Sequence, residues 1–169
     1  MTDVFKEQLV KRNPTSKDMM IKIALIAGVI LVFVVSMALI PAFGMIVSVA
    51  AGFGAYIVIG RLKREYEYIF TNGELDIDVI YNRSSRKRVF TCNVRAFELM
   101  AHINDPRHQN SFSSTNEIKD YSTGIPSERS YAFLVNYQSK RQKIIIEPND
   151  EMLAAIAKTL TRSKFYPKQ

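Results

Sequence analysis

The side chains able to do nucleophilic or acid–base chemistry are few. Cys92 is the single cysteine, His102 and His108 are the only histidines, and Glu74, Asp76 and Asp78 form a regular row of carboxylates. A nucleophilic thiol needs a neighbouring base or cation to lower its pKa. Cys92 lies instead in "KRVFTC", which reads as a β-strand and predicts an inert, buried thiol. Two histidines without nearby cysteines or a dense acid cluster fall short of a zinc ligand set, and His108 sits in a polar connection. Acids at alternate positions are what the wet face of a half-buried strand presents, with opposite charges on neighbouring strands as expected partners. The sequence has no phosphate-binding glycine loop, no nucleophile elbow and no histidine-containing zinc motif. It predicts a protein that is not an enzyme and uses no cofactor or metal. A turnover lost on changing Asp76, Asp78 or Cys92 would reverse that reading.

Binding chemistry is better supplied. "NRSSRKRVF" places Arg83, Arg86, Lys87 and Arg88 within six residues of a chain whose formal net charge is +7. Arg61, Lys63 and Arg64 form a second basic group, and Lys140, Arg141 and Lys143 a third. Such clusters grip nucleic acid, lie on anionic lipid, fix membrane topology or decorate a solvated hairpin tip. Nucleic acid is the poorest fit, because the cluster is short and has no interleaved aromatics for base stacking. These ten cations are the candidate lipid-facing residues.

The elements that position them begin with an apolar block. Between Ile23 and Gly60 no residue is charged, although the chain holds 39 charged residues. One helix through that block would be about 57 Å long, nearly twice a hydrocarbon core of about 30 Å. "LIPAFG" interrupts it, since Pro41 removes a backbone donor and Gly44 relaxes the chain. The block therefore reads as a transmembrane helical hairpin over 19–60, with spans at about 19–40 and 43–60. A cleaved signal peptide is disfavoured because a second apolar segment follows the first. A buried soluble pair is disfavoured because "AFGMIVSVAAGFGAYIVIG" offers only Ser48 and Tyr56 as polar groups.

Lys6, Lys11, Arg12 and Lys17 precede the first span, Lys22 snorkels from the end of its helix, and Arg61, Lys63 and Arg64 follow the second. The turn between them has no cation, so both termini are expected in the cytoplasm. Small residues four apart, at Ala24/Gly28, Ser48/Gly52, Ala50/Gly54 and Ala51/Ala55, suit close helix packing within the hairpin or between copies. From Ile23 to Gly60 the spans contain no charged residue, which argues against a transporter or channel. Residues 1–18 form a cytoplasmic amphipathic segment in which Val4, Phe5, Leu9 and Val10 suit a short interfacial helix, ended at Pro14, with Thr15 or Ser16 capping the first span.

Beyond Gly60 the period changes to two. "YEYIFT" and "ELDIDVIY" flank Asn72-Gly73, the pair that best supplies two positive φ angles, and predict a hairpin with Leu75, Ile77 and Val79 inward. "KRVFTC", "FELMAHI", "EIKDYS", "YAFLVNY" and "RQKIIIE" bring the count to seven strands. Asn104–Asn116 is a polar connection with little to bury, expected to be mobile. "EPNDEMLAAIAKTL" closes the chain as an amphipathic helix capped by Asn149 or Asp150, with Met152, Leu153, Ile156 and Leu160 on one face.

Seven short antiparallel strands followed by one amphipathic helix over 61–169 resemble a pleckstrin-homology-like domain, a bent sheet or barrel plugged by its helix. "YEYIFTNGELDIDVI", "RKRVF" and "IIIEPNDEMLAAI" resemble an uncharacterised family of small Gram-positive bacterial membrane proteins with a domain of unknown function, over nearly the whole chain. The resemblance implies an α+β membrane protein of the bacterial cell membrane, with two spans, and contributes no catalytic residue. The expected function is a membrane-anchored scaffold or protein-interaction module, binding a protein partner or a second copy. The alternative is an anionic-lipid surface sensor that uses the basic tips.

Overall fold

In the computed structural model, which describes residues 4–167, the apolar block is two helices, α1 (Ser16–Leu39) and α2 (Pro41–Leu62). Thr15 caps α1 through a reciprocal pair of bonds: its hydroxyl accepts from Asp18 N at 3.2 Å, and its own N–H donates to the Asp18 carboxylate at 2.8 Å. Pro41 occupies the first turn of α2, where a missing N–H costs nothing. Both helices are long and apolar enough to cross a membrane, and their apolar side chains point almost entirely outward.

What the hairpin buries is small and polar. Ser36 and Gly44 are its buried residues. A Cβ on Gly44 would lie 2.9 Å from the Ser36 carbonyl carbon and oxygen, so only glycine permits this approach. Ser36 Oγ donates to Gly44 O at 3.2 Å, Ser48 Oγ donates to the same carbonyl at 2.7 Å, and the two hydroxyls are 3.2 Å apart. Of the small-residue pairs, Ser48/Gly52 and Ala51/Ala55 are half-buried, whereas Ala24/Gly28 and Ala50/Gly54 are exposed.

The chain divides into two units. The hairpin unit comprises Pro14–Arg64 with Tyr81–Ser84; the domain unit comprises the described residues among 1–13, 65–80 and 85–169. The N-terminal segment is a correction to the expected interfacial helix, because Phe5–Lys11 is a strand, β1. It pairs antiparallel with β2 (Arg64–Thr71), from Phe5↔Thr71 to Lys11↔Glu65. The apolar doublets Val4-Phe5 and Leu9-Val10 fit either period. Pairing with β2 satisfies the backbone and buries Val10, which decides for the strand. The membrane-length hairpin is thus an insertion between two adjacent strands.

The remaining strands are β3 (Glu74–Tyr81), β4 (Ser85–Asn93), β5 (Leu99–His102), β6 (Ile118–Asp120), β7 (Tyr131–Tyr137), β8 (Lys140–Ile146) and β9 (Phe165–Tyr166). They form two open sheets, ordered β1-β2-β3-β4 and β6-β8-β7-β5-β9. The expected seven-strand antiparallel barrel is corrected in three respects. The described residues hold nine strands, the sheets do not close, and β6–β8 and β5–β9 run parallel. The predicted turn is present, with φ of 51° at Asn72 and 96° at Gly73.

Asn104–Asn116 is also corrected. It contains a 3-10 turn at Pro106–His108 and a short helix, α3 (Gln109–Phe112), because Phe112 is buried against Leu99, Ala101, Ala132 and Leu134. One aromatic in a polar run is enough to dock it. The core is aromatic: Tyr68, Phe70, Phe90, Phe97 and Phe133 are all buried, and the last two stack with centroids 3.9 Å apart. α4 (Asp150–Thr159) starts where the Asn149 side chain accepts from Met152 N at 2.8 Å, and it buries Met152 and Ile156.

Candidate functional site

The ten candidate cations fall into two chemically distinct sets. On β4, Arg88 donates from Nε to Asp78 at 2.7 Å and from Nη1 to Asp76 at 2.5 Å. Arg86 pairs with Glu67 at 2.8 Å. Two of the three alternate acids of β3, Asp76 and Asp78, therefore sit in ion pairs with β4. Asp78 is buried beneath Arg88 rather than wet. Burial pushes the Glu67 carboxyl above its ordinary value, Arg86 pulls against that, and Glu7 adds to the rise. One oxygen each of Glu67 and Asp76 is buried without a hydrogen-bond partner.

At the β7–β8 tip, Lys140 reaches Glu117 at 3.4 Å and Arg141 reaches Glu98 at 2.7 Å. Arg141 also donates to Ser114 Oγ at 2.6 Å. Lys143 is half-buried, 5.0 Å from the centroid of the Phe112 ring, and burial lowers its pKa. Lys140 and Arg141 are thus neutralised within the domain.

The other set belongs to the hairpin unit. Asn82 N donates to Lys63 O at 3.0 Å, which lays the Tyr81–Ser84 tip against the C-terminal end of α2. Asn82 and Arg83 both take left-handed φ, 48° and 57°. Arg64 lies over the Tyr81 ring at 5.9 Å. Arg61, Lys63 and Arg83 are exposed around this junction. Lys87, exposed on β4, is in the domain unit.

The groups considered for catalysis are placed as follows. Cys92 is half-exposed, and burial with the nearby Glu74 charge pushes its thiol up, away from the reactive thiolate. His102 is buried; its Nδ1 accepts from Asn104 N at 3.3 Å, leaving Nε2 to donate to Ser127 O at 3.3 Å. The His108 ring packs on Tyr166 at 4.1 Å. Among the described residues no three His, Cys, Asp or Glu side chains gather as a metal site.

A cleft of about 580 Å³ escaped the sequence reading. It is lined by His102, Asp105, Arg107, Pro126 and Ser127, among others. Asp105 accepts two side-chain bonds from Arg107, which hold its carboxyl down at about 2. Ser127 leads to the buried Glu147, which accepts from the Ser127 and Ser130 hydroxyls and from Thr123 N at 2.9 Å. Burial alone would raise Glu147; the hydrogen bonds outweigh it and hold the carboxyl below its ordinary value. His102 and Ser127 are distant in sequence, and only the β5–β7 pairing brings them together.

The described residues thus form two open sheets and an amphipathic helix, α4, with two membrane-length helices inserted between β1 and β2. The family model described as Bacterial PH-like domain (DUF6106) matches residues 2–166, and the chain belongs to that family. No curated protein and no solved structure matches it.

Proposed function

We propose that the chain is a non-catalytic interaction module of the bacterial cell membrane, held by the α1–α2 hairpin, with its pleckstrin-homology-like domain in the cytoplasm. The observation that carries this reading is the insertion of the hairpin between β1 and β2. Lys11 and Glu65 are partners in one ladder, so the chain that leaves through α1 must return through α2 to the same side. Two spans with a turn at Pro41 meet that requirement, and the cation-free turn favours export of the turn rather than of the flanks. The outward apolar surface of α1 and α2 supports lipid contact over burial in a soluble core.

A binding role is favoured over catalysis by the state of the reactive groups. Asp76 and Asp78 of β3 are occupied by Arg88, and the Cys92 thiol is pushed up. The domain instead exposes Phe5 and Leu9 on β1 and Ile118 on β6. Both strands lie at sheet edges, where extended partners add. The reading is tested by a photo-crosslinking residue at Phe5 or Leu9 of the full chain in native membranes. The expected result is one discrete protein adduct, with a partner or a second copy, that an untagged excess of the same chain competes away. Diffuse or lipid-only adducts would contradict a protein-binding role.

A further inference from the structure

Among the described residues the strands at sheet edges are β1, β4, β6 and β9. β6 and β9 are three and two residues long, too short to template another strand. β4 carries Arg86, Lys87 and Arg88 in succession, a charge run of the kind that blocks edge pairing. β1 is seven residues long and exposes Phe5 and Leu9. Its backbone phase is fixed at one end. Asn72 N donates to Val4 O at 3.0 Å, so in the β1–β2 register Lys6, Gln8 and Val10 are the positions that hydrogen-bond to β2. Phe5, Glu7, Leu9 and Lys11 therefore turn their N–H and C=O groups outward. Asn13, next in that series, donates to Thr123 O at 2.8 Å, which closes the edge beyond Lys11. The side chains divide in the same way. Lys6 pairs with Glu151 at 2.7 Å, and Gln8 bonds Glu147 O and Asn149 N, whereas Phe5, Glu7, Leu9 and Lys11 are exposed.

We propose that β1 is the edge through which two copies of this chain join, antiparallel about a two-fold axis at Leu9, so that each four-stranded sheet continues into the other. The proposal rests on the interaction-module reading above and names its partner. Outward backbone groups must meet outward groups, and only the registers centred on Glu7, Gln8 or Leu9 pair three or more of these positions. Centred on Glu7, the strands set Glu7 against Glu7. Centred on Gln8, they set Glu7 against Leu9 and Phe5 against Lys11, with no complementary pair. Centred on Leu9, they set Glu7 of each copy against Lys11 of the other and Leu9 against Leu9, one apolar pair between two ion pairs. This self-complementarity is what a two-fold contact requires. Glu7 also stands beside the buried Glu67 and helps to raise its pKa, so a cation opposite Glu7 relieves a crowded pair of carboxyls. The contact is one strand wide, well below the roughly 800 Å² per partner of stable soluble complexes, and is expected between copies concentrated in one membrane.

The test uses the full chain in native membranes, in a Cys92→Ser background, oxidised with copper–phenanthroline. Opposed Cα atoms of a hydrogen-bonded pair lie about 5.5 Å apart, within disulfide reach, so Leu9→Cys should give a disulfide dimer. Phe5→Cys, whose two positions lie about 27 Å apart in this register, should give about fivefold less or none. Glu7→Lys or Lys11→Glu sets like charges opposite one another and should lower the Leu9→Cys dimer about fivefold. Co-expression of those two variants, each with Leu9→Cys and its own tag, sets opposite charges together at both ends. The mixed dimer should then return, which also shows that each variant folds. No dimer from Leu9→Cys, equal yields from Leu9→Cys and Phe5→Cys, or no loss and rescue in the charge variants would overturn the proposal. A photo-crosslinking residue at Leu9 in the same membranes keeps the two readings apart. An adduct with a different protein, without the disulfide dimer, refutes this proposal alone, and the absence of any protein adduct refutes the interaction-module reading with it.

Discussion

The two units solve opposite packing problems with the same amino acids. In the domain, Phe133, Tyr68 and Ile144 have no exposed surface, and charged groups lie outside as ion pairs. In the hairpin, Ile30, Leu31 and Phe53 face outward, and Ser36 and Gly44 are inside. A water-solvated fold hides its apolar side chains because burial is favourable by about 25 cal/mol per Å². A helix pair solvated by lipid, as proposed for this hairpin, has no such drive, and close backbone approach with interhelical hydrogen bonds takes its place. Burial alone therefore misleads unless the solvent is specified.

That contrast can be broken most severely at the seam where the units are covalently joined. Residues 61–169 expressed alone lack β1 and leave the β2 edge open, so they should show no cooperative thermal unfolding. Residues 4–13 joined by a short glycine–serine linker to residues 64–169 should restore it, as read by near-UV circular dichroism. A cooperative transition in the shorter piece would show that β1 is dispensable.

Next in size are single changes at the two interiors. Phe133→Ala in the linked domain removes the ring that stacks on Phe97 and contacts Phe90, and should cost about 3–5 kcal/mol in urea unfolding. Gly44→Leu should separate the helices, because its Cβ alone meets the Ser36 backbone at 2.9 Å. Disulfide formation between cysteines placed at Ser36 and Ser48, whose hydroxyls lie 3.2 Å apart across the hairpin, should then fall sharply, while Gly54→Leu, facing open space, should leave it intact.

Smaller effects sharpen the electrostatic side. Arg88→Gln leaves the buried Asp78 unpaired and should cost about 2 kcal/mol, lessened by the partial exposure of the arginine. Glu147 supplies the smallest effect and a defined sign. Its folded pKa lies below the ordinary 4.5, so its contribution is present above that value and lost as pH falls through and below it. Glu147→Gln should flatten the acid limb of a stability-against-pH curve and leave the alkaline limb unchanged.

Patterns that depend on one segment were legible in sequence. The uncharged stretch from Ile23 to Gly60, the break at Pro41, the Asn72-Gly73 turn and the Asn149 cap each state a local requirement, and each element stands where expected. Features that depend on distant pairing were not. β1 could be recognised as a strand only once β2 supplied its partner across the hairpin. β9 is two residues long and exists because β5 lies beside it. The ten cations looked alike in sequence; which of them face carboxylates was decided by the register of β3, β4 and β8, which composition does not carry.

The central claim, that one domain is stitched across a two-span hairpin with both flanks in the cytoplasm, is tested most directly by thiol accessibility in intact cells. In a Cys92→Ser background, single cysteines at Lys11, Ala42 and Lys63 are exposed to a membrane-impermeant maleimide before and after permeabilisation. Ala42 should react from outside, and Lys11 and Lys63 only once the membrane is opened. Labelling of Lys11 and Lys63 from opposite sides, or of both from outside, would contradict it.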